Sequence, residues 1–196
     1  MFSGLGLGSA ALLGWGFNSF NILGRENYYL QGNFAPVKEI ITEDRLKVVG
    51  NIPKDLSGLY LRNGPNPMGQ PNVKKYHWFE GEGMLHGVRL DGGKAVWYRN
   101  RQVGGNNANT HVISHAKKIY AIVEAGGSPV EIDQELNSLT EEPFYGTLKT
   151  GFTAHTKLDP ESQELHGITY NFPRGTYEAH HVVVGKDGRI NRADLL

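Results

Sequence analysis

From residue 28 onward, apolar side chains come in short runs broken by Gly, Asp, Asn and Pro, and no stretch carries a sustained helical period. Residues 88–90, the turn Asp91-Gly92-Gly93 and residues 95–98 predict one hairpin, because an Asp-Gly turn supplies the positive φ that tight hairpins need. Residues 181–184, the turn Lys186-Asp187-Gly188 and residues 189–190 predict a second. Residues 110–114 and 119–124, joined through Ala116-Lys117, predict a third. Further extended segments are expected at 130–132, 151–153 and 165–172. The chain is therefore expected to be all-β, and short strands at regular spacing fit a sandwich, a barrel or a propeller. Periodicity alone does not choose among them.

Composition narrows the function classes. Glycine numbers 26 of 196 residues and lies between the apolar runs, the profile of a turn-rich β-protein. Lys plus Arg and Asp plus Glu both number 20, so no basic field exists to attract nucleic acid. Cysteine is absent, which excludes disulfides, thiolate metal sites and a thiol nucleophile, and leaves the eight histidines as metal-ligand candidates. Residues 1–24 are uncharged, glycine-broken and rich in Leu, Trp and Phe, with no basic residue before Arg25. They lack the basic start of a secretory signal, the Arg and Ser of a plastid transit peptide and the length of a spanning helix. Residues 1–27 are read as an apolar, flexible tail or an interfacial contact, and residues 28–196 as one β-structure.

Five ordered motifs carry a resemblance. They are Gly32-Asn33-Phe34-Ala35-Pro36-Val37, Arg62-Asn63-Gly64-Pro65-Asn66-Pro67, residues 76–86 (YHWFEGEGMLH), Asn106-Asn107-Ala108-Asn109-Thr110, and residues 151–160 (GFTAHTKLDP). Together they resemble the amino-terminal portion of the carotenoid cleavage oxygenase family, also called the retinal pigment epithelial membrane protein family. The resemblance implies a seven-bladed β-propeller, here partial, with an Fe(II) on its axis held by four histidines from different blades. It also implies O2-dependent cleavage of a carbon–carbon double bond in a carotenoid, apocarotenoid or stilbene. Neutral imidazoles suit Fe(II), carboxylates that accept their outer N–H groups fix their tautomers, and an apolar polyene needs a dry tunnel to the metal.

By the same resemblance His155 matches the family's first iron ligand, although Thr156 stands where the family has proline. Glu124 matches a glutamate that orients an iron-bound histidine. Val123, before it, is apolar where stilbene-cleaving relatives carry lysine, which favours a carotenoid or apocarotenoid. His77, His86, His111, His115, His166, His180 and His181 are assigned structural or surface roles. Adjacent His180 and His181 would face opposite sides of a strand and not chelate one ion together. Residues 62–67 and 79–84 are read as architecture, with Gly and Pro setting turns and Arg62 bonding carbonyls. Trp78, Phe79 and Phe34 are expected in the core, with tunnel lining as their other use. Substrate-binding residues are not identified.

Three departures from the family pattern matter. The other three iron ligands are expected in later blades, beyond Leu196; the segment at Gln102-Val103-Gly104-Gly105 lacks an apolar insertion; and Lys117 occupies a turn position where glycine is usual. The expected function is Fe(II)-dependent dioxygenase chemistry on a carotenoid-like polyene, in an incomplete copy inactive alone. A non-catalytic apolar-ligand or interaction fragment is the alternative, and a related isomerase is not distinguished from a dioxygenase. Expected partners are the substrate, O2, a peripheral membrane surface and a complementing chain, in a cytoplasmic setting.

Overall fold

The computed structural model describes residues 27–104, 107–124, 126–139, 142–170 and 178–196. Among these, helical structure is confined to short 3-10 turns at Tyr28–Leu30, Gly32–Phe34, Trp78–Glu80 and Pro143–Gly146. The first sheet holds β1 (Thr42–Glu43), β2 (Gly58–Asn66), β3 (Glu82–Asp91) and β4 (Lys94–Gln102) in the order β1-β4-β3-β2. The second holds β5 (His111–His115), β6 (Lys118–Ile122) and β7 (Val130–Ile132) in chain order. The third holds β8 (Lys157–Leu158), β9 (Leu165–Tyr170), β10 (Ala179–Val184) and β11 (Ile190–Leu195) in the order β11-β10-β9-β8. All pairings are antiparallel.

The three predicted hairpins form. Asp91 lies opposite Lys94, which leaves Gly92 and Gly93 as the loop with φ of 54° and 83°. This is the double positive φ of a tight turn whose twist matches its strands. The β5–β6 turn has the same shape without glycine: Ala116 and Lys117 sit at φ 49° and 65°. The β10–β11 turn places Gly188 at φ 84°.

Three expectations are corrected. Residues 62–66 are strand, with Pro65 opposite Gly83. Proline is tolerated there because β2 is an edge strand, where one row of backbone groups has no ladder partner to lose. Residues 151–153 belong to no strand and form a buried irregular segment. Phe34, Trp78 and Phe79 join Tyr28, Tyr29 and His77 in a surface stack of rings, with Phe79 72% exposed, because the 3-10 turns that carry them lie outside the sheets.

Successive sheets bury their facing sides. Leu85 and Trp97 of the first, with Val103 just past the end of β4, meet Ile119, Ala121, Val130 and Ile132 of the second. Tyr120 and Ile122 of the second meet Leu165, Val182 and Val184 of the third around Phe144 and Phe152. Each buried Val, Leu, Ile or Phe among them contributes roughly 1.5–3 kcal/mol by leaving water. His115 Nε2 adds a polar tie across the second and third sheets, 2.8 Å from the Gly185 carbonyl oxygen.

The motif asparagines act as staples. Asn63 Nδ2 donates to the carbonyls of Ala108 and His111, Asn66 brackets both backbone groups of Val37, and Asn109 donates to Phe79 and Gly81. Irregular backbone would otherwise leave these groups unpaired. Gly83 is required for a similar reason: a Cβ there would lie 2.3 Å from the Ala108 carbonyl oxygen.

Strands β2, β5 and β8 each form an edge of their sheet, and β2 packs beside β5. Three sheets in sequence order, each packed face to face on the next, make a partial β-propeller. Among the described residues nothing closes the third sheet back onto the first.

Candidate metal centre

His155 stands at the end of a rigid lead-in. Gly151 lies so close to Gly126 that any side chain would overlap main chain, and the Phe152 N–H donates to the Gly127 carbonyl at 3.2 Å. Phe152, Thr153 and Ala154 are all buried, and Thr169 Oγ1 donates to the Phe152 carbonyl. Residue 155 is where the chain leaves the core, just ahead of β8, with its own N–H bonded to Thr153 Oγ1 at 3.3 Å. The imidazole is therefore fixed at its root while its ring is 77% exposed.

Glu124 approaches from the loop after β6. Its Oε1 lies 2.7 Å from His155 Nε2, yet this oxygen is buried and receives no aligned hydrogen bond. A buried carboxylate oxygen short of a donor is costly unless an N–H is supplied. With Nε2 turned to Glu124, Nδ1 is the nitrogen left for a metal. The other carboxylate oxygen, Oε2, accepts from the Tyr170 hydroxyl at 3.3 Å. Burial first, and then the negative charge of Glu124, push the Tyr170 phenol above its ordinary range, so it remains a donor. Sequence reading brings His155 and Glu124 into view but misses Tyr170. Its placement at the end of β9 is set by the register of the third sheet, which alternation along one strand could not supply.

Val123 folds onto its own loop: a Cβ on Gly127 would lie 2.2 Å from Val123 Cγ1. The other histidines occupy different places. His77 Nδ1 caps the turn Trp78–Glu80 by accepting the Phe79 N–H. His86 Nδ1 lies 2.8 Å from the Tyr98 hydroxyl, and burial, aided by the Arg62 guanidinium, holds its pKa below the usual histidine range. That places Arg62 as a charge beside His86. His111 is exposed at the start of β5, and His180 and His181 face opposite sides of β10, as alternation requires. Among the described residues no three His, Cys, Asp or Glu side chains come together to hold a metal. The donors around His155 are of the right kind for Fe(II) but supply one imidazole.

A sequence model of the family described as retinal pigment epithelial membrane protein matches residues 34–105 and 101–195. The carotenoid cleavage oxygenase of Mycobacterium tuberculosis is 41% identical over 192 residues, covering 85% of this chain and 38% of that protein. A carotenoid 9,10(9′,10′)-cleavage dioxygenase 1 from Phaseolus vulgaris is 31% identical over 217 residues, covering 84% of this chain and 39% of that protein. The chain thus spans less than two-fifths of the length of these curated relatives. Lignostilbene dioxygenase of Pseudomonas brassicacearum superposes with a TM-score of 0.77 at 23% identity, over 87% of this chain and 43% of that one. Synechocystis apocarotenoid oxygenase superposes at 0.67 and 19% identity, over 89% and 44%, and that enzyme has also been solved in cobalt-substituted form. At these identities the superpositions bear on fold alone. With a family match across nearly all of residues 34–195, and the motifs around Glu124 and His155 within it, the chain belongs to the retinal pigment epithelial membrane protein family, that of the carotenoid cleavage oxygenases.

Proposed function

We propose that this chain is the amino-terminal part of an Fe(II)-dependent dioxygenase that cleaves a carbon–carbon double bond of a carotenoid or apocarotenoid. His155 is one of the iron's imidazole ligands, and Glu124 accepts the outer N–H of an iron-bound histidine. The observation that carries this reading is the pairing itself. One exposed imidazole on a rigid root meets a carboxylate whose buried oxygen lacks an aligned donor, where the loop after β6 of the second sheet meets the lead-in to β8 of the third. When bound, the iron would activate O2 beside the polyene.

The residues here perform preparatory work. The Gly151 contact and the buried Phe152 and Ala154 keep the ligand from swinging away. Glu124 holds a proton on the outer ring nitrogen, so the inner one presents a lone pair. The Tyr170 hydroxyl keeps the carboxylate from rotating. Val123 adds no charge beside this group, which suits an apolar substrate better than a phenolate.

The remaining ligands belong to a carboxy-terminal portion or a complementing chain. The test joins this chain to the carboxy-terminal portion of the Mycobacterium tuberculosis relative and measures iron content and apocarotenoid cleavage products. We expect stoichiometric iron and cleavage in the fusion, little iron in the chain alone, and loss of both in H155A. Tight stoichiometric iron in the isolated monomer, or full activity in H155A, would overturn the proposal. A non-catalytic interaction fragment is favoured instead if the fusion folds without iron, and the exposed residues of β11 are then the surface to probe.

A further inference from the structure

Strands β2 and β5 are edges of different sheets that run side by side. Asn63 ties them at one end, where its amide donates to the Ala108 and His111 carbonyls. Toward Gly58 and the Ala116-Lys117 turn, a cleft of about 570 Å³ opens between the first and second sheets. Side-chain alternation decides what lines it. Leu59 and Leu61 of β2 turn toward the first core, where Val112 of β5 and Ile119 of β6 also pack. Leu59, Leu61 and Val112 are only partly buried, so the cleft has an apolar floor still open to water. On β3, Leu85, Gly87 and Arg89 share the core-facing side, and Arg89 lies opposite Leu59, which brings a guanidinium beside that floor.

The polar groups around the floor are donors. Arg89 Nη1 donates to the Gln134 side-chain oxygen at 3.0 Å, and among the described residues neither Arg89 nor Lys117 is paired with a carboxylate. The neighbouring acids are engaged elsewhere: Glu131 with Lys118, Glu135 with Arg99, Asp91 with Ser57, and Asp133 with the N–H groups of Glu135 and Asn137. The Ser114 hydroxyl and the Gln134 amide nitrogen add neutral donors to the same lining. Two uncompensated cations beside an apolar surface complement a ligand with an anionic head and an apolar body.

We infer that the cleft between β2 and β5 binds an amphipathic carboxylate, its chain on Leu59, Leu61, Val112 and Ile119 and its head between Arg89 and Lys117. The planar guanidinium of Arg89 offers the carboxylate two parallel N–H groups, and Lys117 adds a point charge. Lys117 stands at φ 65°, in left-handed backbone that favours glycine, and a glycine there would bring no charge to the cleft. The volume falls within the ~300–1,000 Å³ of small-molecule sites. This site lies between two packed sheets, shares no residue with the His155 centre, and does not depend on the chain being part of an oxygenase.

The experiment titrates the 196-residue chain, carrying labelled Ile, Leu and Val methyl groups, with decanoate below its micelle concentration. Decanol, which lacks the charge, and butyrate, which lacks the long chain, are titrated alongside. One equivalent of decanoate is expected, with the methyl NMR signals of Leu59, Leu61, Val112 and Ile119 shifting first, and decanol and butyrate should bind far more weakly. Calorimetry should find the decanoate affinity roughly tenfold lower in R89Q and in K117Q, each of which removes a charge-assisted hydrogen bond, and unchanged in K157Q. The methyl map is read on the unmutated chain, so it needs no variant to fold. Absence of decanoate binding, shifts that begin at other methyl groups, decanol binding as tightly as decanoate, or full affinity in both R89Q and K117Q overturns the inference.

Discussion

Replacing Gly151 by alanine tests how the His155 ligand position is held. A Cβ at this residue would stand 2.2 Å from the Gly126 carbonyl oxygen, 2.4 Å from its Cα and 2.6 Å from its carbonyl carbon. Comfortable contact begins near ~3.5 Å, so the two backbones must part by about 1 Å. No rotamer can relieve a clash between main-chain atoms and a Cβ. The displacement would pull Phe152 and Ala154, 1% and 2% exposed, out of the second core. Overpacking of this kind costs ~1–3 kcal/mol, and the loss of those contacts puts G151A at about 3 kcal/mol. Gly64 is the internal control: it lies in β2 without positive φ, and a Cβ there meets nothing within 4 Å. G64A should be neutral or stabilise by ~0.5 kcal/mol, through a less flexible unfolded chain. Urea unfolding followed by tryptophan fluorescence, with the slope checked for constancy, reads both. A G151A midpoint equal to that of the unmutated chain, or to that of G64A, would refute the account of the lead-in.

Further tests address other parts of the structure. K117G should stabilise by about 0.5–1 kcal/mol, because Lys117 sits at φ 65° and the relief of that conformation exceeds the entropy glycine adds to the unfolded chain; a lower melting midpoint would contradict this. L85A should cost ~2–5 kcal/mol, since Leu85 is fully buried in the first core, and equilibrium unfolding measures it. Removing the Asn109 amide in N109A leaves the Phe79 and Gly81 carbonyls without their donor and should cost about 2 kcal/mol in the same assay. The lowered His86 pKa means that between it and the unfolded value near ~6.5 the unfolded chain binds a proton the native chain refuses. Its share of stability is therefore full above about pH 6.5 and declines as the pH falls through that window. NMR titration should place the His86 midpoint below the model-peptide value, and H86Q should flatten the pH dependence of the urea midpoint.

What the sequence determined is local. The Asp91-Gly92-Gly93 turn and Gly188 announce their hairpins because positive φ is a property of single residues, and short alternating runs identify strands because side chains alternate within a strand. The β5–β6 hairpin was legible from its flanking runs, although Ala116 and Lys117 adopt left-handed backbone that neither residue advertises. The family motifs point to His155 and Glu124. The tertiary structure decided what those motifs do. Asn63, Asn66 and Asn109 carry no local sign of the distant backbone they tie, and Pro65 reads as a turn but lies in a strand, because edge position is assigned by pairing. Tyr170 reaches Glu124, and His181 meets His166 instead of its neighbour His180, only once β9 and β10 adopt their register. A one-residue slip would turn each of these side chains to the other face. That register depends on burying Leu165, Val182 and Val184 against Tyr120, Ile122 and Phe152, which is a property of the packed sheets together.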